Sequence, residues 1–235
     1  MLDKKLELSE AFASEFLSPR LTVVITTVDA EGRVNAAPFS YLTVISYTPP
    51  RVCFSVTFRK HNDFVRFHFG DKEPRVSEVL KMEPYAGETE VTHKDTLANV
   101  LEQGEFGLNI LPIENLPQLE ITAGVFPRGI NEIEMAGLTA YPATKIKPPL
   151  IREAKVALEC VKIAHNDIDT SEHWITLLIG EGVLAHVDSD IFEGEEFRPE
   201  RMRSILQFSG SLFGVCTELR HQERIRYAKA ISMLP

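Results

Sequence analysis

The sequence predicts a mainly β protein, an antiparallel sheet closing into a barrel with helices at its periphery. Strand-like segments recur along the chain, turn residues and prolines such as Pro49-Pro50 and Pro148-Pro149 separate them, and only two stretches keep a clear helical period. At 235 residues, 44% hydrophobic and 25% charged, the chain suits one globular domain that buries roughly 70% of its unfolded surface.

Taken in order, the first element is a short amphipathic helix from Glu10 to Phe16, stopped by Ser18-Pro19. Leu21 to Val28 is β-branched almost throughout, and Asp29-Ala30-Glu31-Gly32 is a hairpin loop in which Gly32 can take a positive φ. The second strand begins near Arg33 and covers Val34 to Ala37. Pro38 lacks an amide hydrogen and pushes Ala37 toward an extended conformation. The ladder is therefore expected to break there, leaving backbone groups of Phe39 to Tyr41 open to a ligand phosphate; an ordinary strand edge with a proline bulge fits the same residues. Val52 to Thr57 is the third strand.

From about residue 60 to 91 aromatics, charges and prolines mix without a sustained period, which marks an insertion, a lid or a partner surface. Leu97 to Gln103 is a helix with Leu97, Val100 and Leu101 on one face and Gly104 placed to end it. Phe106 to Leu111 is a strand, and Ile113 to Ala123 is a helix only if it begins at Pro117. Val156 to Ile163 and Trp174 to Val187 complete the sheet. With no internal repeat, low-complexity tract or long linker, residues 1–235 form a single domain carrying the insertion.

Cys53, Cys160 and Cys216 are odd in number, dispersed, and without C-x-x-C spacing, which argues against a disulfide framework or a thiolate metal site and for a reducing cytosol. The first ten residues lack a signal-peptide core and no apolar run approaches the roughly 20 residues of a membrane span, so the expectation is a soluble cytoplasmic protein without a membrane partner. The net charge of −9 disfavours nucleic acid. Charges beyond about 8 Å are largely screened, so local cations decide anion binding, and Arg20, Arg33, Arg59, Lys60 and Lys94 are the candidates.

Lys94-Asp95-Thr96 precedes the central helix. Asp95 or Thr96 can serve as its N-cap, and the first-turn amides with the Lys94 charge make an anion site; a plain cap beside a solvated lysine is the other reading. Hydroxyls recur on adjacent strands as Thr26 and Thr27, Ser40 and Thr43, Ser55 and Thr57, so one of each pair can face inward. His173, beside Trp174 at a strand start, can donate a hydrogen bond to a carbonyl or ring nitrogen as charge develops, or be an ordinary polar residue. His61, Asp63 and His68 match no standard metal spacing, and no metal site is expected. Gly180-Glu181-Gly182-Val183-Leu184-Ala185 fits a loose dinucleotide pattern but continues a strand, and Gly210-Ser211-Leu212-Phe213-Gly214 has its serine in the wrong place for a nucleophile elbow.

In their order along the chain, Ser18-Pro19-Arg20, Thr26-Thr27-Val28, Gly32 through Ser40, Pro49-Pro50 and Lys94-Asp95-Thr96 closely resemble the flavin reductase-like, flavoredoxin-type family of FMN-binding split barrels. Glu134 through Leu138, Lys147-Pro148-Pro149, Ala157-Leu158-Glu159-Cys160 and His173 through His186 are similar to the second half of that family. The resemblance implies an antiparallel Greek-key split β-barrel, a homodimer holding FMN near the subunit interface, and NADH or NADPH as hydride donor in catalytic members. Asn35, Ala37, Pro38, Phe39, Ser40 and Tyr41 would line the flavin and its ribityl phosphate, and Ser55, Arg59, Lys94 and Thr96 would hold the phosphate. Asp95 of the K-D-T run and the hydroxyls of Thr26 and Thr27 complete the candidate cofactor set. His173 matches a histidine near the ring and the nicotinamide site, the candidate catalytic residue, although Ser171 and Glu172 replace the glycine and aspartate that often precede it.

The implied activity is NAD(P)H-dependent hydride transfer to FMN, with electrons passed to oxygen, free flavin or a protein. An FMN-binding electron carrier without its own nicotinamide site is the alternative, and a split barrel holding another planar ligand such as haem is a third.

Overall fold

The computed structural model describes residues 16–59, 94–124, 126–170 and 173–221. The helix expected over Glu10 to Phe16, apart from Phe16 itself, lies outside them, as do the insertion, Lys60, His61, Asp63 and His68.

The β-branched and aromatic runs form β1 (Arg20–Leu21), β2 (Val23–Val28), β3 (Val34–Phe39), β4 (Leu42–Tyr47), β5 (Pro50–Arg59), β6 (Glu105–Ile110), β7 (Ala140–Tyr141), β8 (Leu150–Ile151), β9 (Val156–Asp169), β10 (His173–Val187), β11 (Phe192–Glu193), β12 (Glu196–Phe197), β13 (Leu206–Ser209) and β14 (Leu212–Gly214). The α-helices are α1 (Asp95–Gln103), α2 (Leu116–Thr122) and α3 (Glu132–Met135).

Seven strands make one antiparallel sheet in the order β3-β2-β6-β9-β10-β5-β4. β3 and β4 stand at its opposite edges, yet only Ser40 and Tyr41 join them. Three Cα steps of 3.8 Å reach on the order of 11 Å, so the sheet must curl until its edges meet. The Phe39 and Phe54 rings pack edge to face at 5.2 Å across this junction, and the Ser55 amide donates to the Tyr41 carbonyl at 3.1 Å. The result is a barrel split between β3 and β4.

Every residue of β2 is buried because its two faces meet two cores. Val23 and Ile25 point into the barrel with Phe54, Phe106, Trp174 and Leu178, whereas Val24 joins Leu119, Ile133, Ile151 and Ile205 outside it. That double burial explains a continuous apolar run where a half-exposed strand would alternate. Helix α1 plugs the barrel through Leu97 and Val100, both fully buried and each contributing about 1.5–3 kcal/mol by burial. It ends as expected at Gly104, whose φ of 74° is natural for glycine and whose N–H donates to the Val100 carbonyl.

Pro38 does not break its ladder. The Ala36 N–H points away from β2 and donates to Glu132 Oε2 at 2.9 Å, and the Pro38 nitrogen, two residues on, faces the same way. The missing hydrogen falls on the outer edge, and pairing continues from Val28↔Val34 to Val23↔Phe39. The helix cap is corrected too: α1 begins at Asp95, with Lys94 in the cap position and no side chain capping it. Thr96 lies inside the helix, its hydroxyl accepting from Asn35, and Asp95, the first helical residue, lies 3.9 Å from Arg128 Nε. β9 runs six residues beyond Ile163, where polar, mostly exposed residues carry no alternation and only the register with β10 makes a strand. Pro117 falls in the first turn of α2, the 180–185 segment lies inside β10, and Ser211 is in the turn joining β13 and β14.

Candidate functional site

β3 and β5 run in opposite senses on the two sides of the split, through the alternating pairings of the sheet. From the Phe39–Phe54 contact, moving back along β3 to Asn35 and forward along β5 to Arg59 therefore leads to the same end of the barrel. Helix α1 begins beside β3 at this end, and His173, the first residue of β10, sits opposite Arg59 in the register. The two-residue connection and the antiparallel order thus bring the proline-bearing strand, the helix start and the histidine to one side of the molecule.

At the helix start the polar side chains form a closed network. Asn35 Nδ2 donates to Thr96 Oγ1 at 3.0 Å and to Thr27 Oγ1 at 3.3 Å, and Asn99 Nδ2 donates to Thr27 Oγ1 at 3.0 Å. All four residues are buried, so these bonds form in a low dielectric and pin α1 to the β2–β3 hairpin. Asn99 Oδ1 is buried without a hydrogen-bond partner. Thr26, one residue along β2, faces the other way: its hydroxyl donates to the Pro149 carbonyl at 2.6 Å beneath Gly107, away from the network.

Lys94 is exposed and has no carboxylate within 4 Å among the described residues; desolvation by the surrounding protein nevertheless lowers its ammonium below the usual lysine range. Burial pushes the Glu132 carboxyl upward, against the Ala36 amide bond, and nearby Asp95 adds to the rise. Ala37, Pro38, Phe39 and Ser40 are half-buried along the split. The exposed Tyr41 ring lies beneath the Arg20 guanidinium at 5.1 Å, and the half-buried Ser55 hydroxyl has no partner among the described residues. The Arg59 backbone ends β5, and its side chain lies outside the description. His173 is half-buried, its backbone locked to Thr170 by three hydrogen bonds that close the β9–β10 turn.

Sequence reasoning missed Asn99 and Glu132. Asn99 was open to detection, because it stands three residues after Thr96 on the same face of α1. Glu132 gave no local signal, since its partner is the edge amide of a strand 96 residues away. Cys160 is no nucleophile: burial, and then the neighbouring Glu159 carboxylate, push its thiol up to about 12. The donor set, an N-terminus without a side-chain cap beside a lysine, a half-buried hydroxyl and two aromatic rings along a split, fits a planar ligand with an anionic tail.

Residues 17–205 match the family model described as "Flavin reductase like domain". The chain belongs to the flavin reductase-like family. A relative, an uncharacterized protein of Aquifex aeolicus, is 30% identical over 203 residues, 84% of this chain and 87% of its own. Among solved structures, nitrilotriacetate monooxygenase component B from Bacillus cereus superposes with a TM-score of 0.73 at 26% identity, covering 94% of this chain and 98% of its own. The flavoredoxin of Desulfovibrio vulgaris has a TM-score of 0.65 at 15% identity, covering 94% and 97%, a likeness of fold. The flavin reductase-like split barrel is therefore both the family and the architecture of this chain, and no described helix is long and apolar enough to cross a membrane.

Proposed function

We propose that this flavin reductase-like protein is an oxidoreductase that holds FMN along the split, takes reducing equivalents from NADH or NADPH, and passes them to a small-molecule or protein acceptor. The observation that carries the reading is the Asn35–Thr96 hydrogen bond of 3.0 Å, which fixes the start of α1 against the proline-bearing strand. Bound FMN would supply the hydride-accepting and electron-donating chemistry, so the chain needs no nucleophile of its own.

The protein's part is to bind, orient and exclude water. Lys94 and the positive end of α1 face the phosphate; one such cation about 4 Å away contributes on the order of 4 kcal/mol of gross Coulomb attraction near a surface, before desolvation. Ser55 would donate its hydroxyl to the phosphate, and Arg59, the last residue of β5, is the further candidate cation. Phe39 and Tyr41 shield the ring from water, and the Thr27–Asn35–Thr96–Asn99 network keeps the cradle from rearranging. His173, opposite Arg59 in the register, would donate a hydrogen bond to a bound ring carrying negative charge. The single domain acts as a cytoplasmic homodimer, a reading supported by the edge strand β4, whose Val44, Ile45 and Tyr47 are exposed.

Lys94→Glu tests the site: FMN affinity falls at least about tenfold while circular dichroism stays that of the wild type, and unchanged affinity removes Lys94 from the site. Anaerobic NADH or NADPH bleaches the flavin absorbance of an enzyme within seconds. A flavin that is reduced only when an external reductase is added identifies a carrier instead.

A further inference from the structure

Thirteen residues along β10 from His173, on the order of 40 Å of strand, His186 lines a second cavity. It measures about 290 Å³ and is bounded by Tyr141 of β7, Ile151 of β8, Arg152, Ala157 of β9 and Asp188. None of these residues belongs to the candidate flavin site.

The His186 ring has a defined hydrogen-bonding sense. Its Nε2 lies 2.6 Å from Glu159 Oε1, and Glu159 is fully buried. Burial alone raises the Glu159 carboxyl, but amide bonds from Thr144 and Lys145 and the His186 ring outweigh it and hold the group below its ordinary value. An ionised carboxylate only accepts, so Nε2 carries the proton. Nδ1 makes no hydrogen bond within the described protein and is the ring nitrogen left to a ligand. The ring is further held edge to face on Tyr141, centroids 5.6 Å apart.

Arg152 supplies the complementary donor. Its amide is tied to the Thr139 carbonyl at 2.9 Å, and its guanidinium lies 4.8 Å over the other reach of the same Tyr141 ring. Among the described residues it has no carboxylate partner within 4 Å. Asp188 does not neutralise it, being paired with Lys155. The cavity thus joins a planar fork suited to a carboxylate, a histidine nitrogen suited to a hydroxyl, and an apolar floor of Ile151 and Ala157. Its volume lies at the small end for ligand pockets.

We propose that this cavity binds a small hydroxycarboxylic acid, its carboxylate on Arg152 and its hydroxyl hydrogen-bonded to His186 Nδ1. The probe is 3-hydroxybenzoate, titrated calorimetrically into the full-length protein, with benzoate as the analogue lacking the hydroxyl. Saturable binding is expected, weakened at least fivefold for benzoate and at least tenfold in Arg152→Gln, an exposed position whose replacement leaves the fold intact. Lys94→Glu leaves it unchanged, which separates this cavity from the flavin site. Long-range nitrogen correlation spectra register the same event as a shift of His186 Nδ1. Absence of saturable binding at about 10 mM, equal affinity in Arg152→Gln, or an unmoved Nδ1 resonance overturns the proposal.

Discussion

Replacing Glu159 with glutamine changes one oxygen into an NH2 group and nearly nothing in volume, so it isolates the contribution of a buried carboxylate. Oε1 accepts from the Thr144 amide at 2.8 Å and from His186 Nε2 at 2.6 Å, while Oε2 accepts from the amides of Lys145 and Ile146, the latter at 3.1 Å. A glutamine keeps one acceptor oxygen and turns a donor toward two other donors. Two charge-assisted bonds at about 1.5–3 kcal/mol each are lost, which places the destabilisation at about 3–6 kcal/mol. Against a total stability of roughly 5–15 kcal/mol this is a large fraction. The single tryptophan, Trp174, is only 5% exposed in the barrel core, so its fluorescence during urea unfolding at pH 7 reports the change directly. A loss below about 1 kcal/mol refutes the account, as does an equal loss in His186→Ala, which removes one donor of the four.

Acidification and packing supply further tests. Lys155, through a short hydrogen bond, holds the Asp188 carboxyl low; at Asp29 and Glu159 burial pushes upward, but the Arg33 contacts and the bonds described above prevail. Because these folded values lie below the ordinary 3.8 and 4.5, their contribution is complete above the unfolded values and is lost as pH falls through the folded ones. Glu132, raised by burial, works oppositely, its contribution fading as pH rises past 4.5. The melting temperature is expected to drop below about pH 4, where the three lowered carboxyls outweigh Glu132, and a rise there contradicts the assignment. In β10, Gly180→Ala sets a Cβ 2.3 Å from Cζ of the fully buried Phe106, which itself packs on Phe54 at 5.3 Å. About 1–3 kcal/mol of overpacking follows, read by calorimetry, and an unchanged melting temperature shows that the ring moves freely.

Much of the fold was legible because its signals are local. The β-branched run before Gly32, the amphipathic face of Leu97 and Val100, and Gly104 at φ 74° each depend on a few neighbouring residues, and the sequence placed all three. Leu42 to Tyr47 carried the same β-branched composition and was passed over; its pairing with β5 makes it an edge strand of the sheet. The candidate site was half legible. The run from Asn35 to Tyr41 and the K-D-T run marked the elements, but not which of their side chains stay open to a ligand.

The amino-acid sequence by itself determined six of the seven strands of the main sheet, the hairpin turn at Gly32, the helix that plugs the barrel and the family to which the chain belongs. Tertiary structure alone decided that the Pro38 nitrogen faces an open edge, that Thr27 joins Asn35 and Asn99 while Thr26 turns to Pro149, and that Glu159 meets three amides and a histidine. The reason is reach. Propensity and turn chemistry act within a few residues, whereas the face or edge a group occupies is set by distant partners, Thr26 and Pro149 being 123 positions apart.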